Sequence, residues 1–101
     1  MNRLWITYEK GITLGQKGSE NGVILKDEEY ANSCRITLER CTCYCAITCG
    51  IYGSMVHTAF CDETNSLCMY EKMKADLKSF IDSDLSGDDE LGFYECFTSK
   101  Y

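Results

Sequence analysis

The chain has 101 residues and a net charge of −6, with eight cysteines, one histidine and no proline. Residues 1–50 carry six bases and six acids, so the negative excess lies in residues 51–101, where ten acids face four bases. A nucleic-acid footprint needs a basic patch, so we expect no nucleic-acid partner. The length suits one domain spanning residues 1–101.

The N-terminal third predicts two strands separated by a polar, glycine-rich stretch. Residues 4–8 alternate in a strand-like pattern. Four glycines then punctuate a segment that ends in Asn21-Gly22, which is a hairpin signal, and a strand resumes at residues 23–25. The glycine spacing does not match a phosphate-binding loop. We interpret the acidic run Asp27, Glu28 and Glu29 as a solvated connection that opens one helical turn.

Nothing at the N-terminus indicates a secretory leader, because a charged segment, an apolar run and a cleavage site are missing. We therefore expect a cytoplasmic protein whose cysteines are reduced rather than joined in a disulfide framework. Residues 41–61 lack formal charge over the length of a membrane span. Their threonines, glycines and period-two pattern favour strands, so we predict no membrane partner.

The centre of the chain, residues 34–61, holds six cysteines and the histidine. Its alternating pattern predicts three antiparallel strands, with reversals at Cys41-Thr42 and between Gly50 and Gly53. In this register Leu38 lies opposite Cys45, and Ile47 lies opposite Val56. A shift of one residue would exchange the two faces of a strand.

This register separates an apolar face from a mixed face. The apolar face is the expected core and contains Cys34, Ile36, Leu38, Cys45, Ile47, Cys49, Val56 and Phe60. The mixed face contains Arg35, Thr37, Glu39, Tyr44, Ala46, Thr48, Met55 and His57. We expect the mixed face to be solvated or used for contact.

A long helix should follow the sheet, from residue 63 to about residue 81, with Asp62 as its N-cap. Apolar residues at helical spacing should pack on the cysteine-rich face: Leu67, Tyr70, Met73, Leu77, Phe80 and Ile81. Residues 88–99 favour a short helix over an edge strand. The predicted fold is therefore α+β, with an antiparallel sheet of four to six strands, one long helix and a short C-terminal helix.

One local motif suggests a metal site. Asp82, Asp84, Ser86 and Asp88 alternate around Gly87, and this run resembles the first half of an EF-hand calcium loop. The resemblance ends there, because Phe93 occupies the position of the bidentate glutamate. We predict no metal and no cofactor, and a degenerate calcium loop stays open as an alternative.

A thiol–histidine pair is the second chemical candidate. In the predicted register Cys61 shares a face with His57, but along one strand the two lie about 13 Å apart. Cys41 or Cys43 could serve instead if a turn brought it near. The spacing of Cys41, Cys43 and Cys45 is not a standard zinc motif.

We therefore expect a small acidic, cytoplasmic, non-enzymatic binding or inhibitory module of the immunity or adaptor kind. Its expected binding face consists of Arg35, Thr37, Glu39, Tyr44, Thr48, Met55 and His57. The acidic C-terminal third is the alternative contact surface and suggests a basic protein partner, and a homodimer through the mixed face is left open. The alternative is a small thiol- or metal-dependent enzyme or switch that uses His57 and a cysteine, or the Asp82–Asp88 loop.

Overall fold

The computed structural model describes residues 4–101. The first three residues, on which the expectation of no leader partly rests, lie outside the described part. Five strands and two helices make up the fold. They are β1 (Trp5–Thr7), β2 (Val23–Tyr30), β3 (Cys34–Arg40), β4 (Cys45–Ile51), β5 (Met55–Cys61), α1 (Glu63–Ser83) and α2 (Asp88–Lys100), and a short 3-10 turn covers Tyr8–Gly11.

The strands form one antiparallel sheet in the order β1-β2-β3-β4-β5, so each strand pairs with its neighbours along the chain. Both helices follow the sheet, and α1 packs across one of its faces. The predicted α+β class, the strand number and both helices are confirmed. No helix among residues 4–101 is long and apolar enough to cross a membrane.

The core lies between α1 and one face of the sheet. The predicted cysteine-rich face is buried there, with Cys34, Cys45 and Cys49 almost inaccessible to solvent. On α1 the buried side chains are Ser66, Tyr70, Met73, Leu77 and Phe80. Leu67, predicted in this stripe, is 51% exposed. The buried residues recur at alternating steps of four and three along α1, from Ser66 to Phe80, and Leu67 lies one residue, or about 100° around the helix, away from this series.

The register between β3 and β4 differs from the predicted one by two residues. Leu38 lies opposite Ile47 rather than Cys45. The connection spans residues 41–44 and is closed by the Cys41 N–H, which donates to the Tyr44 carbonyl at 2.8 Å. Because an even shift preserves the faces of a strand, the predicted orientation of β3 and β4 is correct.

The register between β4 and β5 also differs from the predicted one, and here the difference changes which side chains face the core. Ile47 lies opposite Ala59, and the strands are joined at the Ile51–Met55 pair by a turn around Gly53, whose φ is 77°. Gly50 lies inside β4 instead of opening the turn. The shift is odd, so it exchanges the two faces of β5.

As a result, four predicted face assignments in β5 are wrong. Met55 and His57 lie on the helix-covered side with Cys45, because they pair with Ile51 and Cys49 in the observed register. Val56 and Phe60, predicted in the core, point to the other side and are 79% and 57% exposed.

The acidic run at residues 27–29 is also different from its prediction, since it forms part of β2 and not a connection. Each carboxylate has a partner on another element. Asp27 pairs with the Arg35 guanidinium, Glu28 with the Lys74 ammonium, and Glu29 accepts the Tyr52 hydroxyl. Because each carboxylate has such a partner, three consecutive acids can be accommodated within a strand.

Residues 8–22 fold over the face of β2 and β3 that lies opposite α1. The Arg35 guanidinium lies 3.7 Å from the centre of the Tyr8 ring, and the Thr13 hydroxyl donates to Asp27 at 2.7 Å. The predicted reversal at Asn21-Gly22 is confirmed, with Asn21 at a φ of 65° and Lys17 bridged to Val23. This loop covers half of the sheet face and leaves β4 and β5 open.

A short acidic junction joins the C-terminal end of α1 to α2. At the other end of α1, the Asp62 side chain caps the helix by accepting the Asn65 N–H at 2.8 Å, as predicted. Helix α2 docks through aromatic rings: Phe93 stacks on Phe80 at 4.2 Å, and Phe97 meets His57 edge-on at 6.1 Å.

Candidate binding surface

The sheet face opposite α1 remains exposed along β4 and β5. We call this the open face; its accessible residues are Tyr44, Thr48, Gly50, Val56, Thr58 and Phe60, and Ala46 on the same side is buried. Val56 and Phe60 are large apolar side chains with no covering element among residues 4–101. The Tyr44 ring rests edge-on against Phe60 at 5.7 Å.

A groove of about 750 Å³ separates the open face from the N-terminal loop. Residues 16–19 of the loop form one wall, and residues 52–56 of the β4–β5 hairpin form the other. Thr37, Thr48 and Gly50 lie along its floor. The Thr48 and Thr58 hydroxyls lie 3.2 Å apart across the strands and share one hydrogen bond.

A buried carboxylate fixes one end of the floor. Asp27 is 1% exposed and accepts four hydrogen bonds. Two come from Arg35 at 2.8 and 2.6 Å, and the others come from Thr13 and Thr37 at 2.7 and 3.2 Å. The hydrogen bonds that Arg35 donates to Asp27 raise the pKa of Arg35 above its ordinary value, so the guanidinium stays charged, and the same two hydrogen bonds fix its position beside the groove.

Glu39 anchors the loop that forms the groove wall. It is 0% exposed, and its Oε1 accepts the N–H groups of Glu20 at 3.0 Å and Gly22 at 2.9 Å. Gly18 lies so close that a Cβ there would approach Glu39 Oε2 to 2.5 Å. Within residues 4–101 that oxygen has no hydrogen-bond partner. Glu39 is therefore placed to hold the loop rather than to present its carboxylate at the surface.

The predicted binding face is thus divided by the structure. Four of its members line the groove on the open side of the sheet: Arg35, Thr37, Glu39 and Thr48. Met55 is buried on the helix-covered side and borders the groove only at the β4–β5 hairpin. Tyr44 lies on the open face outside the groove, and His57 lies on the opposite side, under α2. Sequence reasoning assigned Val56 and Phe60 to the core, and their exposure could be recognised only from the position of the turn.

His57 has a cysteine neighbour that the sequence did not identify. Cys49 lies directly opposite His57 on the helix-covered face. Burial raises the pKa of the Cys49 thiol to about 12, so this thiol is protonated near neutral pH. An activated nucleophile needs a lowered pKa. The Nε2 atom of His57 is buried without a hydrogen-bond partner among residues 4–101, so this nitrogen makes no hydrogen bond to the Cys49 thiol.

The calcium-loop residues are distributed over three elements. Asp82 lies in the last turn of α1, where it accepts the Tyr30 hydroxyl at 2.7 Å and the Lys78 ammonium at 2.8 Å. Asp84 ends α1 in a left-handed conformation, and Asp88 is the first residue of α2. In the described chain no three His, Cys, Asp or Glu side chains are grouped to hold a metal ion.

The acids beyond Gly87 have a structural role instead. Asp88, Asp89 and Glu90 form the first turn of α2, where negative charge interacts favourably with the helix dipole. They lie at the exposed junction of the two helices, beside a smaller cleft of about 410 Å³ that Asp84 and Glu90 help to line. This junction is the acidic end of the molecule.

All eight cysteines are unpaired.

Comparisons of the chain with protein-family models, with curated proteins and with solved structures found no match.

Proposed function

We propose that this chain is a non-enzymatic binding module, of the inhibitory or adaptor kind, that holds a protein partner on its open face and groove. The observation that carries the proposal is the exposure of Val56 and Phe60 at 79% and 57%, beside a groove with a fixed polar floor. Large exposed apolar groups next to anchored polar groups are typical of a contact surface.

The surface offers the components that dominate protein interfaces. Phe60 and Tyr44 supply aromatic area that can be removed from water with little loss of side-chain freedom. The Asp27–Arg35 network keeps the groove floor in one arrangement, so binding need not order it. An extended segment of a partner could lie in the groove and hydrogen bond to Thr37 and Thr48.

The charge pattern favours a basic partner. The chain carries a net charge of −6, and its excess acids lie in residues 51–101. Four of them lie at or near the junction of the helices: Asp84, Asp88, Asp89 and Glu90. A negative end of this kind speeds the approach of a basic protein and orients it before contact.

The alternative of a thiol enzyme is less well supported. The cysteine nearest to His57 in register is Cys49, and its raised pKa keeps it uncharged. Burial also raises the pKa of Cys61, the cysteine that the sequence placed on the same face as His57. A reactive thiolate would require the opposite shift.

The proposal is tested by comparing proteins retained on the immobilised wild-type chain and on two variants. Val56→Asp with Phe60→Asp places charge on the open face, and Leu67→Asp places it on α1, where Leu67 is 51% exposed. We expect one cellular protein to be retained by the wild type and by Leu67→Asp. The double variant should retain at most about one tenth as much of this protein.

The partner should be basic, and its retention should fall as salt is raised. Circular dichroism of each variant checks that the fold is preserved. If the folded double variant retains the same proteins as the wild type, the open face is not the binding surface and the proposal fails.

A further inference from the structure

Strand β5 forms one edge of the sheet. It is the last strand in the sheet order, and no other strand among residues 4–101 pairs with its outer edge. Its seven residues, Met55–Cys61, pair with β4 without any irregularity. Such an edge presents a row of unpaired backbone N–H and C=O groups that can accept another strand.

Strand β5 also lacks the features that normally block edge pairing. Those features are charge, proline, a bulge or a very short strand. None of the residues Met55–Cys61 is charged or a proline, and the register contains no bulge. The opposite edge strand, β1, is only three residues long. The chain therefore protects one edge by shortness and leaves the other one open.

The sequence of β5 is complementary to itself when it runs antiparallel. We propose that two copies of this chain pair through β5 about a two-fold axis at Thr58. Val56 then lies opposite Phe60 of the partner subunit, and Phe60 lies opposite Val56 of the partner subunit. Directly opposed apolar and aromatic side chains of this kind stabilise antiparallel strands. Thr58 meets its own copy at the axis.

The geometry of the dimer follows from this pairing. Residues that lie opposite each other in an antiparallel pair point to the same side, so the open faces of the two copies join into one surface. Two five-stranded sheets become one sheet of ten strands. The exposed Val56 and Phe60 rows become continuous across the axis. The backbone pairing of the dimer does not require the proposed partner, and the dimer shares Val56 and Phe60 with the open face.

Charge does not oppose this contact. The chain has a net charge of −6, and this charge would repel a second copy on most surfaces. Strand β5 has no charged side chain, and its two ends are Met55 and Cys61. The strand itself therefore adds no like-charge repulsion when two acidic molecules approach through this edge.

The experiment measures molar mass by sedimentation or light scattering across a wide concentration range, with a reductant present. We expect the wild type to move with concentration from 11.5 kDa toward twice that mass. Thr58→Lys and Thr58→Glu each place like charges across the axis, and each should raise the dissociation constant about tenfold or more. An equimolar mixture of the two variants should form a heterodimer, because an ammonium group then lies opposite a carboxylate.

Leu67→Lys is the matched control, since it adds charge at an exposed apolar site on α1 and should dimerise as the wild type does. A wild type that remains at 11.5 kDa at every concentration would overturn the proposal. The proposal would also be overturned if both Thr58 variants dimerised like the wild type while Leu67→Lys did not dimerise.

If circular dichroism shows that the Thr58 variants do not fold, a second pair of variants replaces them. Val56→Lys and Phe60→Glu should each weaken the dimer. The variant that combines both substitutions should restore it, because the introduced ammonium of one copy would then pair with the introduced carboxylate of the other across the axis. Failure of this restoration in a folded double variant would contradict the Thr58-centred register.

Discussion

At the scale of single residues, the groove depends on an ion pair between the buried Asp27 carboxylate and the partly exposed Arg35 guanidinium. Asp27 is almost fully buried, and each of its oxygens accepts two hydrogen bonds. A buried carboxylate is tolerated only when such partners replace its hydration. Arg35 also contacts the Tyr8 ring, so the same cation connects the groove floor to the N-terminal loop.

Removing the charge of Asp27 should therefore be costly. Asp27→Asn keeps the shape of the side chain but leaves the Arg35 guanidinium without its counter-ion. We expect the free energy of unfolding in urea to fall by about 1–3 kcal/mol, because buried donors lose a charged acceptor while Arg35, which is 34% exposed, keeps part of its hydration. Lys100→Met is the control, because it removes an exposed ion pair with Asp76 and should leave the unfolding midpoint nearly unchanged. Equal effects from both variants would contradict the assigned role of Asp27.

At the scale of elements, one side chain of β3 holds the loop of residues 8–22 against the sheet. Glu39 Oε1 accepts two backbone N–H groups of the loop, from Glu20 and Gly22. Without this acceptor, buried N–H groups would lack a partner, and each such group costs about 1–3 kcal/mol. The loop should then separate from the sheet before the rest of the molecule unfolds.

Glu39→Ala should therefore expose the loop to trypsin. We expect cleavage after Lys17 to accelerate about tenfold or more relative to the wild type, because the loop opens more often. The cleavage rate is measured by mass spectrometry under native conditions. Glu39→Gln keeps a side-chain oxygen for the two N–H groups, so it should be cleaved much more slowly than Glu39→Ala. Identical cleavage of the two variants would show that Glu39 does not anchor the loop.

The elements also show how far the sequence could predict this fold. Strands β3 and β4 have one clearly apolar parity each, so their faces were predicted correctly even though the register was shifted by two residues. In β5 both parities are apolar enough for a core: Val56 and Phe60 on one side, Met55 and Ala59 on the other. Only the position of the turn before β5 decides which of the two sides faces the core. The turn is centred on Gly53, whereas glycine spacing alone suggested that Gly50 opened it.

The acidic run of β2 was missed for a different reason. Three consecutive acids disfavour a strand locally, and their stabilising partners lie far away in the chain. Glu28, for example, accepts from Tyr70 and Lys74 of α1. Contacts between residues so distant in sequence cannot be read from local propensity. The groove itself was missed for the same reason, because the loop that forms its wall is held by Asp27, Arg35 and Glu39.

At the scale of the whole molecule, acids and thiols are separated. The excess negative charge lies in the second half of the chain, mostly on or near the helices. The core beneath α1 contains Cys34, Cys45 and Cys49 as small apolar side chains. Burial raises the pKa of Cys34 to about 11 and that of Cys49 to about 12. The free energy of unfolding must therefore change with pH in the alkaline range.

The direction of this dependence follows from the two protonation states. Below pH 9.0, the ordinary pKa of a thiol, Cys34 and Cys49 are protonated in both the folded and the unfolded chain. Above it the unfolded thiols lose their protons while the folded ones keep them, so rising pH favours unfolding. Each thiol should lower the free energy of unfolding by about 1.4 kcal/mol per pH unit until its folded pKa is reached.

We therefore expect wild-type stability, measured by urea unfolding with a phosphine reductant, to fall steeply from pH 9 toward pH 11. Cys49→Ala removes one of the two thiols whose pKa burial raises strongly, so its slope should be shallower by about 1.4 kcal/mol per pH unit, whatever its absolute stability. Cys68→Ala replaces an exposed thiol on α1 and should keep the wild-type slope. Raised tyrosine pKa values, such as that of Tyr70, are shared by all three proteins and cancel in the comparison. Parallel slopes for the wild type and Cys49→Ala would mean that this thiol is not held in a water-excluded core.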